Sequence, residues 1–350
     1  MDAFYKKYDL IFKKPGGTSR GILKKKETWF IILKDQGKLG IGECGLFRGL
    51  SIDDVPDYED KLAWTCSNIH LGRERLFDDL MEYPSIRCGV EQALISLGSE
   101  NPFLLFPSGF TQSQVPININ GLIWMGSEEY MREQIAQKIQ LGFNCIKIKI
   151  GAIDFKTELS LLASLRNKFT KEEIELRVDA NGAFEPHEAL DKLMKLAVYD
   201  IHSIEQPIKQ GFPLKMRYLC ENSPLPVALD EELIGHHNIT EKEILLETIK
   251  PAFIILKPSL LGGFAACKEW IDLAGKLNIG WWITSALESN IGLNAIAQWT
   301  YTLNNKMAQG LGTGTLFTNN FNSPLEIKSG KLHYNKKTKW EQNLISKLCT

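Results

Sequence analysis

Apolar residues follow two different rhythms along the chain. Over residues 3–43, AFYKKYDLIF and ETWFIIL are strand-like, and the turn signal KDQGK leads into LGIGECG, which predicts a β-meander. Residues 53–70 and 86–98 (SIRCGVEQALISL) space their apolar positions at helical intervals. The first hundred residues therefore read as an α+β unit, with NPF and FPSG at 101–109 as a linker. From about 115 the pattern changes to short apolar runs separated by amphipathic stretches such as SEEYMREQIAQKIQLG and EPHEALDKLMKLAVYD. Strand candidates are 115–120 (VPININ), 145–150, 174–179 (IELRVD), 202–206, 226–230 (PVALD), 252–257 (AFIILK), 279–285 and 308–311. Strands alternating with helices in this way predict an α/β fold, a (β/α)8-type barrel of the modified TIM kind. A doubly wound open sheet is the structural alternative, but no GxGxxG follows the first strand. The expected division is a capping unit over 1–105, joined by the tail at about 320–350, and a barrel over 106–319.

Within the second rhythm, FNCIKIKIG (143–151) places Lys147 and Lys149 inside an apolar run. Alternation sends both lysines to one face and Ile146, Ile148 and Ile150 to the other. A solvated sheet edge would show the same alternation, so the neighbouring strands must decide. Lys149 is followed by Asp179 in RVDANGAF, Glu205 in IEQP, Asp230 in LDEE and Lys257 in LKPSLLGG, at separations of 30, 26, 25 and 27 residues. Each step is about one strand-plus-helix unit. Five charged residues thus end five consecutive strands, on the face where barrel enzymes build active sites.

Three converging carboxylates raise one another's pKa values unless a cation sits among them. Oxygen-only ligands favour a hard divalent ion, Mg²⁺ with Mn²⁺ as a substitute. A salt-bridge network with Arg177, Lys149 and Lys257 is the non-catalytic alternative. Beside such a site a lysine becomes a usable base, with Lys147 supplying a neighbouring charge to Lys149. The chemistry indicated is proton abstraction α to a carboxylate.

Composition adds exclusions. The 350 residues carry net charge −1 with no basic block, so nothing suggests nucleic-acid binding, and the partner expected from the strand-end chemistry is a small-molecule carboxylate. The apolar stretches are strand-sized and MDAFYKKYDL lacks a signal-peptide core, so a membrane location is not expected. Seven cysteines form no CxxC pair, which suits a reducing cytoplasm.

The KxK pair, the Asp, Glu and Asp of the next three strands and the following lysine resemble the muconate-lactonizing branch of the enolase superfamily, over nearly the whole chain. Sites of that superfamily use a Lys or His base with Mg²⁺. More narrowly, KPSLLGG, SALESNIG and QGLGTG resemble the o-succinylbenzoate synthase family of menaquinone biosynthesis. The resemblance implies a lyase that dehydrates a cyclohexadiene carboxylate bearing a hydroxyl and a succinyl arm. It implies Lys149 as the proton carrier, Lys257 as an electrostatic partner on the other side of the ring, and Asp179, Glu205 and Asp230 as Mg²⁺ ligands.

Substrate contacts are expected from Asn181, Ser285, Ser289, Asn290 and the backbone of Gly310 and Gly312, with helix capping or tight barrel turns as alternatives for the serines and glycines. KPGGTSRG (14–21), with Arg20, is expected to form a mobile lid. Dipeptide epimerases and N-acylamino acid racemases would use both lysines as bases, but residues 308–325 lack the Asp-x-Asp expected of epimerases. Muconate cycloisomerase and a catalytically inactive binding barrel are the remaining alternatives.

Overall fold

The structure is a computed structural model, and it describes residues 1–18 and 21–349. The meander forms as expected: β1 (Asp2–Thr18), β2 (Gly21–Asp35) and β3 (Lys38–Cys44) make one antiparallel sheet in that order. The helix Pro84–Gly98 lies on it so closely that a Cβ at Gly42 would fall 1.9 Å from the Gly89 carbonyl oxygen, a distance no side chain tolerates. Trp29, Ile31 and Leu33 of β2 pack with Ile86, Val90 and Ala93 of this helix.

β4 (Ile117–Asn118) precedes seven parallel strands: β5 (Gly121–Ile123), β6 (Cys145–Lys149), β7 (Glu175–Asp179), β8 (Ser203–Glu205), β9 (Val227–Leu229), β10 (Phe253–Leu256) and β11 (Gly280–Ile283). They are hydrogen-bonded in chain order from β5 to β11. The eighth position is a short segment, where Gly310 bridges Thr284 and Gln309 bridges Ile119. The first barrel strand is therefore displaced from the expected 115–120. VPININ divides its pairing, since Ile117–Asn118 join β13 (Lys331–Tyr334) and the barrel strand begins only at Gly121. β12 (Leu325–Lys328) pairs with β13 in that same small sheet. Of the tail expected to join the capping unit, the helix Leu344–Leu348 does so, packing near Phe30 and Ile32, whereas β12 and β13 attach to β4.

Short caps set the βα rhythm. Ser127, Asp154, Asn238 and Ser289 each accept a backbone N–H in the first turn of the helix that follows. β6 is buried along its whole length, with Ile146, Ile148 and Ile150 in the barrel–helix core. That leaves the barrel interior for Lys147 and Lys149, and excludes a solvated edge. Below them, Trp282 packs with Ala228 and Ile255, and the Arg177 guanidinium stacks 4.1 Å from the Trp282 ring.

One buried acid clasps sheet and barrel. Glu43 of β3 accepts from Thr28 Oγ1 (2.9 Å), Ser289 N (2.9 Å), Ser289 Oγ (2.5 Å) and Gly292 N (2.9 Å). Replacing Glu43 with Ala leaves these donors buried and unpaired, so it should lower unfolding stability by roughly 3 kcal/mol or more. Urea unfolding with an unchanged midpoint would remove Glu43 from that role. Among the described residues, no helix is long and apolar enough to cross a membrane.

Candidate active site

Because the parallel strands all point one way, their last residues collect at one rim. Lys149, Asp179 and Glu205 end β6, β7 and β8, and Asp230 and Lys257 directly follow β9 and β10. Lys149 Nζ donates to Asp179 Oδ2 at 2.6 Å and to Asn181 Oδ1 at 2.7 Å. Lys147 Nζ pairs with Asp179 Oδ2 at 2.8 Å and with Glu205 Oε2, and Lys257 Nζ donates to Asp230 Oδ2. All six charged residues are buried or nearly so. Arg177 takes no part, because it turns down to Glu175 and the Ala308 carbonyl.

The charges differ sharply in their setting. Burial works against the Asp179 carboxylate, but Lys147 and Lys149 hold its carboxyl well below the ordinary range. Burial pushes Glu205 well above that range, and the charges of Asp179 and Asp230 push it further. Burial also works against the Lys147 and Lys257 ammoniums, yet the surrounding carboxylates keep both pKa values raised. Lys149 is the exception: burial lowers its pKa, helped by Lys147 and Lys257 and opposed by Asp179. Of the three lysines, it is the one whose ammonium is least favoured.

The donor set can be tested against a hard cation. Among the described residues, no three acidic, histidine or cysteine side chains stand as a ready-made metal cage; the carboxylates turn to the lysines instead. Yet Glu205 Oε1 is buried without a hydrogen-bond partner, beside two further carboxylates whose charges it feels. An orphaned carboxylate oxygen in an all-oxygen cluster fits a divalent cation such as Mg²⁺.

A cavity of about 790 Å³, partly open to solvent, lies over this rim. Lys147, Lys149 and Lys257 line it from the barrel, and Leu23, Phe47 and Leu50 line it from the capping unit. None of these three is singled out by number from the sequence, although Phe47 and Leu50 belong to LFRGL, an apolar stretch after β3 with no element of its own.

The rim residues divide. Ser285, Gly310 and Gly312 border the cavity, and Asn181 sits beside it on Lys149. Gly310 does not present a free N–H, since it donates to the Ile283 carbonyl in the strand bridge. Its lack of a side chain serves close packing, because a Cβ would meet Thr284 Oγ1 at 2.4 Å. Ser289 does not border the cavity: it is a helix cap bonded to Glu43, and Asn290 donates to the Phe321 carbonyl. Arg20 lies outside the described residues. Of the stretch expected to form a lid, residues 14–18 end β1 and Gly21 begins β2, with the Gly17 carbonyl accepting from Met125 N (3.1 Å). A Cβ at Gly17 would clash with the Met125 carbonyl oxygen at 2.3 Å, so glycine permits this approach.

Comparison with known proteins agrees with this geometry. The family model described as "Enolase C-terminal domain-like" matches residues 130–338. The chain is 44% identical to the o-succinylbenzoate synthase of Desulfotalea psychrophila, over 95% of this chain and 98% of that protein. It belongs to the o-succinylbenzoate synthase family of the enolase superfamily. The crystal structure of MenC from Desulfotalea psychrophila superposes with a TM-score of 0.85 at 41% identity, covering 95% of this chain and 99% of that one. The L-Ala-D/L-Glu epimerase of Bacillus subtilis superposes with a TM-score of 0.80, covering 97% of each chain. Its 18% identity makes that likeness one of fold alone.

Proposed function

We infer that the protein is an o-succinylbenzoate synthase, a hydro-lyase that dehydrates 2-succinyl-6-hydroxy-2,4-cyclohexadiene-1-carboxylate to 2-succinylbenzoate, a step of menaquinone biosynthesis. The near full-length identity to a synthase carries this reading, and the lysine–carboxylate rim supports it. Asp179, Glu205 and Asp230 would hold Mg²⁺. When bound, that ion supplies positive charge to the substrate carboxylate as its α-carbon loses a proton.

The remaining work falls to the chain's own groups. Neutral Lys149 takes the α-proton at Nζ, while Asn181 Oδ1 and Asp179 Oδ2 fix where that nitrogen points. The carbon–oxygen bond to the ring hydroxyl then breaks, and the proton on Lys149 leaves with that oxygen as water. Lys257, held as an ammonium by Asp230, faces the transient anion electrostatically. Leu23, Phe47 and Leu50 exclude water above the ring.

The direct test is product formation from the cyclohexadiene substrate by purified protein with Mg²⁺, followed chromatographically. Absence of 2-succinylbenzoate together with epimerisation of a dipeptide would replace this reading with the epimerase alternative.

Gly312 offers a milder probe. Its backbone is not left-handed, and an added Cβ would meet nothing closer than 3.5 Å. Gly312→Ala should therefore fold and turn over normally. Gly312→Asp should raise KM for the dianionic substrate by roughly 10-fold or more through like-charge repulsion. Equal KM values for the two variants would remove this loop from the substrate site.

A further inference from the structure

The cavity has a second mouth. Leu122, Trp124, Lys138, Gly312 and Thr313 border both the 790 Å³ cavity and an outer groove of about 1420 Å³. β5 and the segment after Gly310 part here, because their pairing ends at the bridge between Ile119 and Gln309. The outer groove adds Lys13 and Lys14, against one acid among its described lining, Glu133. An anion approaching from this side meets a net positive wall.

Lys138 is the cation set into that opening. It belongs to the helix Glu128–Gln140, and its aliphatic stem lies against Gly121, where a Cβ would touch its Cγ and Cδ at 3.1 Å. Its ammonium stands 5.1 Å from the Phe143 ring centroid. Burial alone lowers its pKa, with no acidic side chain counteracting it. Among the described residues it has no carboxylate partner.

The other cations on the cavity wall are committed elsewhere, as are the hydroxyls of Ser285 and Thr313, while Asn120 and Thr284 line it with uncharged side chains. Lys147, Lys149 and Lys257 each hold a carboxylate of the rim. Ser285 Oγ donates to Glu288 Oε2 (2.7 Å), so the 2.8 Å contact from Thr313 Oγ1 must be donated by the threonine. Both hydroxyl protons are thereby taken up by bonds within the protein. Gly310 N–H is held in the strand bridge. The substrate of the inferred reaction carries two carboxylates, and a cation held by Asp179, Glu205 and Asp230 would account for the one on the ring.

We propose that Lys138 binds the carboxylate at the end of the succinyl arm, within the opening bordered by Gly312, and thereby selects substrates with a second anionic group. This assignment rests on the synthase reading above. It makes Lys138 a specificity-determining residue that takes no part in proton transfer.

The test compares the full chain with Lys138→Met and Lys138→Arg in the presence of Mg²⁺. Calorimetry measures binding of 2-succinylbenzoate and of its methyl ester at the arm carboxylate, alongside dehydration kinetics. Lys138→Met should weaken 2-succinylbenzoate binding and raise KM by roughly 10- to 100-fold, as expected for a lost charge-assisted hydrogen bond, with kcat within about 3-fold. Lys138→Arg should recover most of the affinity, and the ester should bind wild type and Lys138→Met alike. Unchanged binding of the acid to Lys138→Met would overturn the assignment. So would equal losses for acid and ester, which would indicate packing. Failure of the wild-type protein to dehydrate the substrate would overturn the synthase reading instead, and the binding comparison would still stand as a separate result.

Discussion

Lys149→Ala should lower dehydration by on the order of 10²–10⁴-fold, the range expected when a positioned acid–base group is lost. The expectation follows from where the strand period puts this side chain: buried, at the last residue of β6, lining the cavity and aimed by Asp179 and Asn181. The same replacement at Lys257 should cost less than at Lys149. The Lys257 ammonium is held by Asp230, so its contribution to a one-face elimination is charge and not proton transfer. Lys257→Arg should keep part of that charge and retain more dehydratase activity than Lys149→Arg. Proton exchange separates the two. With an analogue that lacks the leaving hydroxyl, wild type and Lys257→Arg should exchange the α-proton with deuterated solvent, and Lys149→Ala should not. Wild-type exchange in Lys149→Ala would reverse the assignment of the base.

The contrast also shows what a strand pattern makes legible. Lys147, Lys149, Asp179, Glu205, Asp230 and Lys257 stand out because two periodicities act on them together. The two-residue alternation of strands sends them inward, and the strand-plus-helix spacing sets them at one rim. Their mutual contacts then follow from neighbouring strand ends. Hydrogen-bond direction has no such periodicity. Ser289 reads equally as a substrate contact or a cap, and Glu43, 246 residues away in the chain, decides for the cap. Gly310 looks like an exposed N–H in QGLGTG, yet the Ile283 carbonyl takes that proton. The first barrel strand was misplaced because β13, which claims Ile117 and Asn118, comes some two hundred residues later. Lys138 is hidden for a further reason. On an amphipathic helix a lysine ordinarily marks the solvated face, and here the gap beside β5 turns that position into cavity lining.

The largest effect on ligand binding is expected at Glu205, and it should depend on the metal. Glu205 is buried among like charges and keeps one carboxylate oxygen without a partner. In metal-free protein, Glu205→Gln removes a buried charge while Lys147 retains Asp179 at 2.8 Å. The variant should then melt no lower than wild type without metal. With Mg²⁺ the order should reverse. Wild type should gain thermal stability as Mg²⁺ rises, because a cation bound by the folded state alone stabilises it by mass action. Glu205→Gln should gain much less over the same range, and its dehydration rate should fall by about 10²-fold or more as the anion loses its preorganised positive charge. Chelation should abolish wild-type activity, and added Mg²⁺ should restore it. If Mg²⁺ raises the melting temperature of Glu205→Gln as much as that of wild type, the three carboxylates are not the metal site, and their ties to the lysines are a structural ion-pair network.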